Sequence, residues 1–301
     1  MKFVSVRHQG RVLAGLWFAD GVLDLLEAAK LGGEGASMSS VLDIIRGGDS
    51  SLSAVKRLAA RAPHYKAALL KHDAVELLAP IPQPLRNIFC VGRNYLDHIK
   101  EGYAARGTDL KLPEVPQFFT KATHAMNSST GDVRLDPRLT QHLDYEVELA
   151  VIMGRGGRDI GPEQAFDHIF GYAVSNDVTA RDVQRRHDQW FKGKSLDTTF
   201  PFGPWIVDRE EIGDPTTLEL VMSVNGEERQ RAHVSQMIFD IPTLIASLSA
   251  GLTLEAGDII ATGTPSGVGY AMKPPQRLRG GDRMITSISR IGELTNRIVE
   301  V

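Results

Sequence analysis

The pattern of apolar and polar positions breaks the chain at Pro80-Ile81-Pro82-Gln83-Pro84, where repeated proline prevents helix and resists sheet. Before it, Phe3, Val4 and Val6 and then Val12 to Phe18 predict a short meander turning at Ala19-Asp20-Gly21. Helical patterns follow at Leu23 to Ala29, at Val41 to Ile45 (opened by Ser39 or Ser40, stopped by Gly47-Gly48) and at Ser50 to Ala60, with a strand at Val75 to Leu78. Residues 1–80 thus predict a small α+β N-terminal domain, and no side-chain cluster in them suggests chemistry.

Residues 81–301 predict a larger, mainly β unit. Apolar runs at Asn87 to Val91, Phe118-Phe119, Leu149 to Ile152, Ile169 to Val174 and Asp258 to Ala261 read as strands. Leu218 to Val224 and Glu227 to Gln230 flank Asn225-Gly226, a strong hairpin signal, and Arg283 to Ile288 and Glu293 to Val299 close the chain as strands. Helices are expected at Pro162 to Asp167, Val178 to Arg186 and Ile241 to Leu248, and Gly102 to Pro116 reads as a loop, either an insertion or a lid.

Composition narrows the partners. A formal charge of −3 gives no electrostatic reason to expect nucleic acid or an anionic membrane. Cys90 is the single cysteine, so neither an internal disulfide nor a cysteine metal cluster is available, and its apolar strand suits an inert core residue. No apolar run reaches spanning length and no signal peptide is read, so the expected location is cytoplasmic.

Candidate chemistry begins at Asp144-Tyr145-Glu146-Val147-Glu148, where side chains two apart on a strand share a face. Glu146 and Glu148 read either as solvated edge residues or as a buried pair needing a cation, a shared proton or a facing Lys or Arg. Asp177, at a strand exit, is either a helix N-cap or a third carboxylate of the same site. Three carboxylates without His or Cys make an oxygen-only site suited to Mg²⁺, Mn²⁺ or Ca²⁺. His98 and Glu101, three apart on a helical segment, form either a surface salt link or a base fit to activate water. Lys121 is a surface lysine or a charge pointing into a site. Asp177, Arg181 and Gln184 fall on one helical stripe. The glycines and hydroxyls of Thr262 to Gly269 can meet an anion but lack the lysine and spacing of a phosphate loop.

In order along the chain, G-R-N-Y-x-x-H-x-x-E (Gly92 to Glu101), E-x-E (Glu146, Glu148), N-D-x-T-A-R-D-x-Q (Asn176 to Gln184), G-K-S (Gly193 to Ser195) and T-G-T-P-x-G-V-G (Thr262 to Gly269) resemble the fumarylacetoacetate hydrolase family, its acylpyruvase and hydroxymuconate isomerase branch in particular. The resemblance covers about residues 85–300 and implies a mixed β-sandwich roll, usually a homodimer, with Mg²⁺ or Mn²⁺ held by Glu146, Glu148 and Asp177. It further implies catalysis by His98, Glu101 and Lys194, with substrate bound through Arg93, Tyr95, Lys121, Arg181, Gln184, Gly263 and Thr264. The implied reaction is C–C hydrolysis of a 2,4-dioxo acid such as an acylpyruvate or fumarylpyruvate. The same enolate chemistry without water would isomerise or decarboxylate a hydroxymuconate-type or oxaloacetate-type 2-oxo acid. A non-catalytic β-domain using a cation for stability is the rival outside enzymes.

Overall fold

The computed structural model describes residues 1–301. Its spine is one sheet of twelve strands. Along the sheet's main path lie, in order, Leu69–Leu70, Gly21–Asp24, Arg11–Phe18, Lys2–His8, Phe200–Asp208, Ile169–Asn176, Val147–Met153, Ile259–Ala261, Ile88–Gly92 and Gln117–Lys121. A second, five-stranded sheet contains Glu219–Val224, Glu227–His233, Arg283–Ile288, Gly292–Glu300 and Val133–Leu135. The fold is the sheet-rich α+β class read from the sequence.

Val147–Met153 is buried along its whole length, which explains its unbroken apolar run. Val147, Leu149, Val151 and Met153 enter a core shared with the second sheet. Ala150 and Ile152 enter the opposite core, which also holds Phe3, Leu16, Leu23 and Val41 from the first 80 residues. Those residues do not stand apart: Lys2 and Phe3 pair with Val207 and Ile206, so the sheet runs through the expected boundary.

Several local expectations shift. The stretch read as one strand from Asp144 is two, Leu143–Asp144 and Val147–Met153. Leu96–Arg106 is helical, so the loop expected from Gly102 starts at Gly107, whose φ of 65° ends the helix in the left-handed region. Phe200–Asp208 is a central strand that sequence patterning misses. Pro201, Gly203 and Pro204 hide it, since proline and glycine ordinarily argue against a strand interior.

Candidate metal centre and substrate cavity

Strand register assembles the carboxylates. Val147 lies opposite Asn176 and Glu148 opposite Ser175, and the Asp177 N–H donates to the Glu146 carbonyl at 2.9 Å. Asp177 is thereby set across from Glu146, while Glu148 follows two residues along on the same face. One oxygen from each of the three lies within 4.8 Å of the others, and all three side chains are buried. This excludes the solvated-edge reading. It also corrects the N-cap reading of Asp177: the helix starts only at Arg181, after a short strand at Thr179–Ala180, and Ala180 is its cap residue. Asp177, Arg181 and Gln184 therefore do not form one helical stripe.

Buried cations balance most of this charge. Lys194 Nζ donates to Glu146 Oε2 at 2.6 Å and to Asp177 Oδ2 at 2.7 Å. Lys121 Nζ donates to Asp177 Oδ1 at 2.7 Å and to the Val178 carbonyl at 3.0 Å. Arg181 approaches Glu146 Oε1 at 2.7 Å and donates through Nε to Asp144 Oδ2 at 2.9 Å. Burial alone would raise the Glu146 pKa, but Lys194 and Arg181 hold it at about 2. Burial opposes charge on Lys194 as well, yet Asp177 and Glu146 raise its pKa above the usual lysine range.

Glu148 differs. Burial, then Asp177 and Glu146, push its pKa well above the usual carboxylate range, and the Gly263 N–H at 2.9 Å is its one hydrogen-bond donor. Beside it the Tyr95 hydroxyl is buried without a partner. With every group ionised, Asp144, Glu146, Glu148 and Asp177 outnumber Lys121, Lys194 and Arg181 by one charge, and that excess belongs to Glu148, which a bound cation would keep ionised. The all-oxygen donors, the excess charge and the unpaired Glu148 fit a hard divalent cation.

A cavity of about 430 Å³ opens above this floor. Glu146, Glu148, Lys194, His98, Gln184 and Thr264 reach its wall, as do Arg93 and Arg181. Lys121, fully buried behind Asp177, does not; nor do Tyr95 and Gly263. His98 Nδ1 and Glu101 Oε1 are 2.9 Å apart, and Glu101 Oε2 accepts from the Gly267 N–H at 2.8 Å, locking the helix Leu96–Arg106 to the 262–269 loop. That loop and residues 93–95 leave the sheet side by side because Ile259–Ala261 and Ile88–Gly92 are parallel. Arg93 has a φ of 55°, a costly backbone for a residue with a Cβ, and its guanidinium lies 5.7 Å from both the Tyr103 and Trp190 rings.

Sequence reasoning missed two residues here. Buried Asp144 accepts from Arg181 Nε and from the N–H groups of Tyr145, Gly269 and Tyr270, so it fixes the arginine and a loop together. Buried Gln230 accepts from the Val147 N–H at 3.0 Å and donates to Thr264 Oγ1 at 2.9 Å and the Pro265 carbonyl at 2.8 Å. Gln230 belongs to the hairpin around Asn225-Gly226 and no spacing rule connects it with Thr264. Nothing local in the sequence signals either role.

The profile described as fumarylacetoacetate (FAA) hydrolase C-terminal matches residues 87–299. The chain belongs to this family. It is 44% identical to the oxaloacetate tautomerase YisK of Bacillus subtilis, over 99% of this chain and all of that protein. It is 38% identical to the human mitochondrial oxaloacetate tautomerase FAHD2A over 84% of this chain and 77% of that one. Among solved structures, the fumarylacetoacetate hydrolase of Exiguobacterium antarcticum aligns with a TM-score of 0.79 at 39% identity, covering both chains fully. The maleylpyruvate hydrolase of Sphingobium sp. SYK-6, in complex with manganese(II) ion and pyruvate, aligns at 0.77 and 28% identity over 100% of this chain and 99% of that one. Relatives of this chain thus include tautomerases as well as hydrolases. No helix here is long and apolar enough to cross a membrane.

Proposed function

We propose that the chain is a divalent-metal-dependent enol–keto tautomerase of 2-oxo dicarboxylic acids, with oxaloacetate as the first candidate substrate and Mg²⁺ or Mn²⁺ as the ion. One observation carries this reading: the cavity has a buried floor, on which every carboxylate but Glu148 is paired, and a rim where three arginines outnumber one carboxylate, Asp188. Arg93, Arg106 and Arg185 line the cavity without an ion pair, and Arg106 and Arg185 are exposed to solvent. A short diacid placed with its 2-oxo acid end on the floor puts its distal carboxylate among these arginines. An acylpyruvate with an apolar tail would leave them unanswered. The identity of the full-length tautomerase relative supports the same choice.

A divalent ion held by Glu146, Glu148 and Asp177 would supply Lewis acidity toward the 2-oxo group. His98 keeps Nε2 free for substrate because Nδ1 is engaged by Glu101. In the enol-to-keto direction Nε2 takes the enol O–H proton, the O–C2 bond becomes C=O, and the C2=C3 electron pair takes a proton at C3. One base can serve both ends, since the oxygen and C3 are separated by a single carbon. Lys194, kept protonated by Glu146 and Asp177, places positive charge beside the developing oxyanion. No bond between carbons breaks and no water is consumed.

The test is a product analysis with Mg²⁺ or Mn²⁺ present. Enol oxaloacetate should convert to the keto form, and His98→Ala should slow this by about 10²- to 10⁴-fold while metal affinity is kept. Release of pyruvate and a carboxylic acid from acylpyruvates as the dominant activity would return the assignment to hydrolysis, with His98 and Glu101 activating water. Carbon dioxide from oxaloacetate would make the protein a decarboxylase.

A further inference from the structure

Behind Arg181 lies a second cavity, of about 350 Å³, lined by Arg181, Arg185, Arg277, Arg279, His142 and Asp144 among others. Its cations come as two pairs from two elements. Arg181 and Arg185 are four apart on the helix Arg181–Arg186 and share a face. Arg277 and Arg279 flank buried Leu278, whose N–H donates to the Leu143 carbonyl at 2.8 Å, so both arginines point away from the core on the same side. Asp144 is the one carboxylate on this wall, and it is already engaged by Arg181 and three backbone N–H groups. Arg185 and Arg279 make no ion pair, and Arg277 donates only to the Gln141 carbonyl, at 3.2 Å. Arg181 is neutralised by Asp144 and Glu146, but Arg185, Arg277 and Arg279 are gathered on one cavity with no carboxylate of their own, an arrangement that an anion would ease.

We infer that this cavity is a binding site for a small dianion, a phosphate or a dicarboxylate, distinct from the substrate cavity and coupled to it. Arg181, Arg185 and Tyr270 line both cavities, and the Arg181 guanidinium stacks 4.6 Å from the Tyr270 ring. An anion held mainly by Arg277 and Arg279, which do not line the substrate cavity, and drawing on Arg181 from behind weakens the hold of Arg181 on Glu146 and alters turnover without occupying the substrate's place. The site does not depend on which reaction the enzyme catalyses.

The experiment is calorimetric titration of the metal-loaded enzyme with inorganic phosphate and, separately, with succinate, alongside steady-state inhibition by each. Wild type should bind one dianion per chain at this site, and Arg277→Ala/Arg279→Ala should weaken that binding roughly tenfold or more. The double variant, altered only at exposed positions, should keep the substrate KM and the kcat measured without added anion. Inhibition by the anion should lower kcat in wild type and fade in the double variant. Preference for phosphate or for succinate identifies the source of the dianion. Equal binding by both proteins, or inhibition purely competitive with substrate, would overturn the inference. So would a change in oligomeric state of the double variant, because the arginines would then serve a contact between copies.

Discussion

The floor and the rim of the substrate cavity use the same residue types in opposite ways. On the floor, Lys194 and Arg181 are buried against carboxylates at 2.6 and 2.7 Å. On the rim, Arg106 and Arg185 are exposed and unpaired, one of them resting 4.8 Å from the Tyr103 ring. Desolvated charges interact strongly and are little screened, whereas exposed charges contribute modestly and weaken with salt. On the function proposed above, the contrast would separate two tasks: holding an ion and a reacting oxygen in place, and sorting substrates by their far end.

Glu148→Ala cuts deepest into that contrast. It removes the one floor carboxylate without a cation, and metal affinity measured by Mn²⁺ titration should fall by more than the about 100-fold typical of losing a supporting residue. Turnover should be lost with it. Retained stoichiometric Mn²⁺ binding would show that the floor is not the metal centre.

Gln230→Glu probes the join between floor and wall. The carboxylate can still accept from the Val147 N–H but cannot donate to Thr264 or the Pro265 carbonyl. Catalytic efficiency should drop about tenfold, one hydrogen bond's worth at a charged site, with metal binding nearly intact. Unchanged kinetics would mean that the Thr264 hydroxyl needs no anchoring.

Arg106→Ala should give the smallest effect, a rise in KM for a 2-oxo diacid of about two- to fivefold at low salt that vanishes at high ionic strength, with kcat unchanged. A comparable loss for a substrate lacking the distal carboxylate would remove the rim from substrate selection.

How far the sequence speaks follows the range of the forces involved. The Asn225-Gly226 hairpin was legible because its turn is purely local: both residues adopt positive φ, 53° and 82°, as a two-residue hairpin turn requires. Ser40 was equally legible as a cap, its hydroxyl accepting the Asp43 N–H at 3.0 Å. The paired placement of Glu146 and Glu148 followed from strand periodicity. The engagement of Asp177 did not, because its partners Lys121 and Lys194 lie 56 and 17 residues away and a local rule, helix capping, competed for the same side chain. The Phe200–Asp208 strand failed for the converse reason: its neighbours on both sides stabilise a segment whose own residues argue against it.

That strand has Lys2–His8 along one edge and Ile169–Asn176 along the other. Cutting the chain at residue 80 would unpair Ile206 and Val207 on one side and take Phe3, Leu16 and Leu23 from the apolar layer over Phe200 and Phe202. Naked backbone donors on a long strand invite pairing with any other chain that offers an edge. A shortened protein would thus keep every carboxylate, lysine and arginine of the cavity floor and still lose part of the apolar layer that supports the strand beneath it.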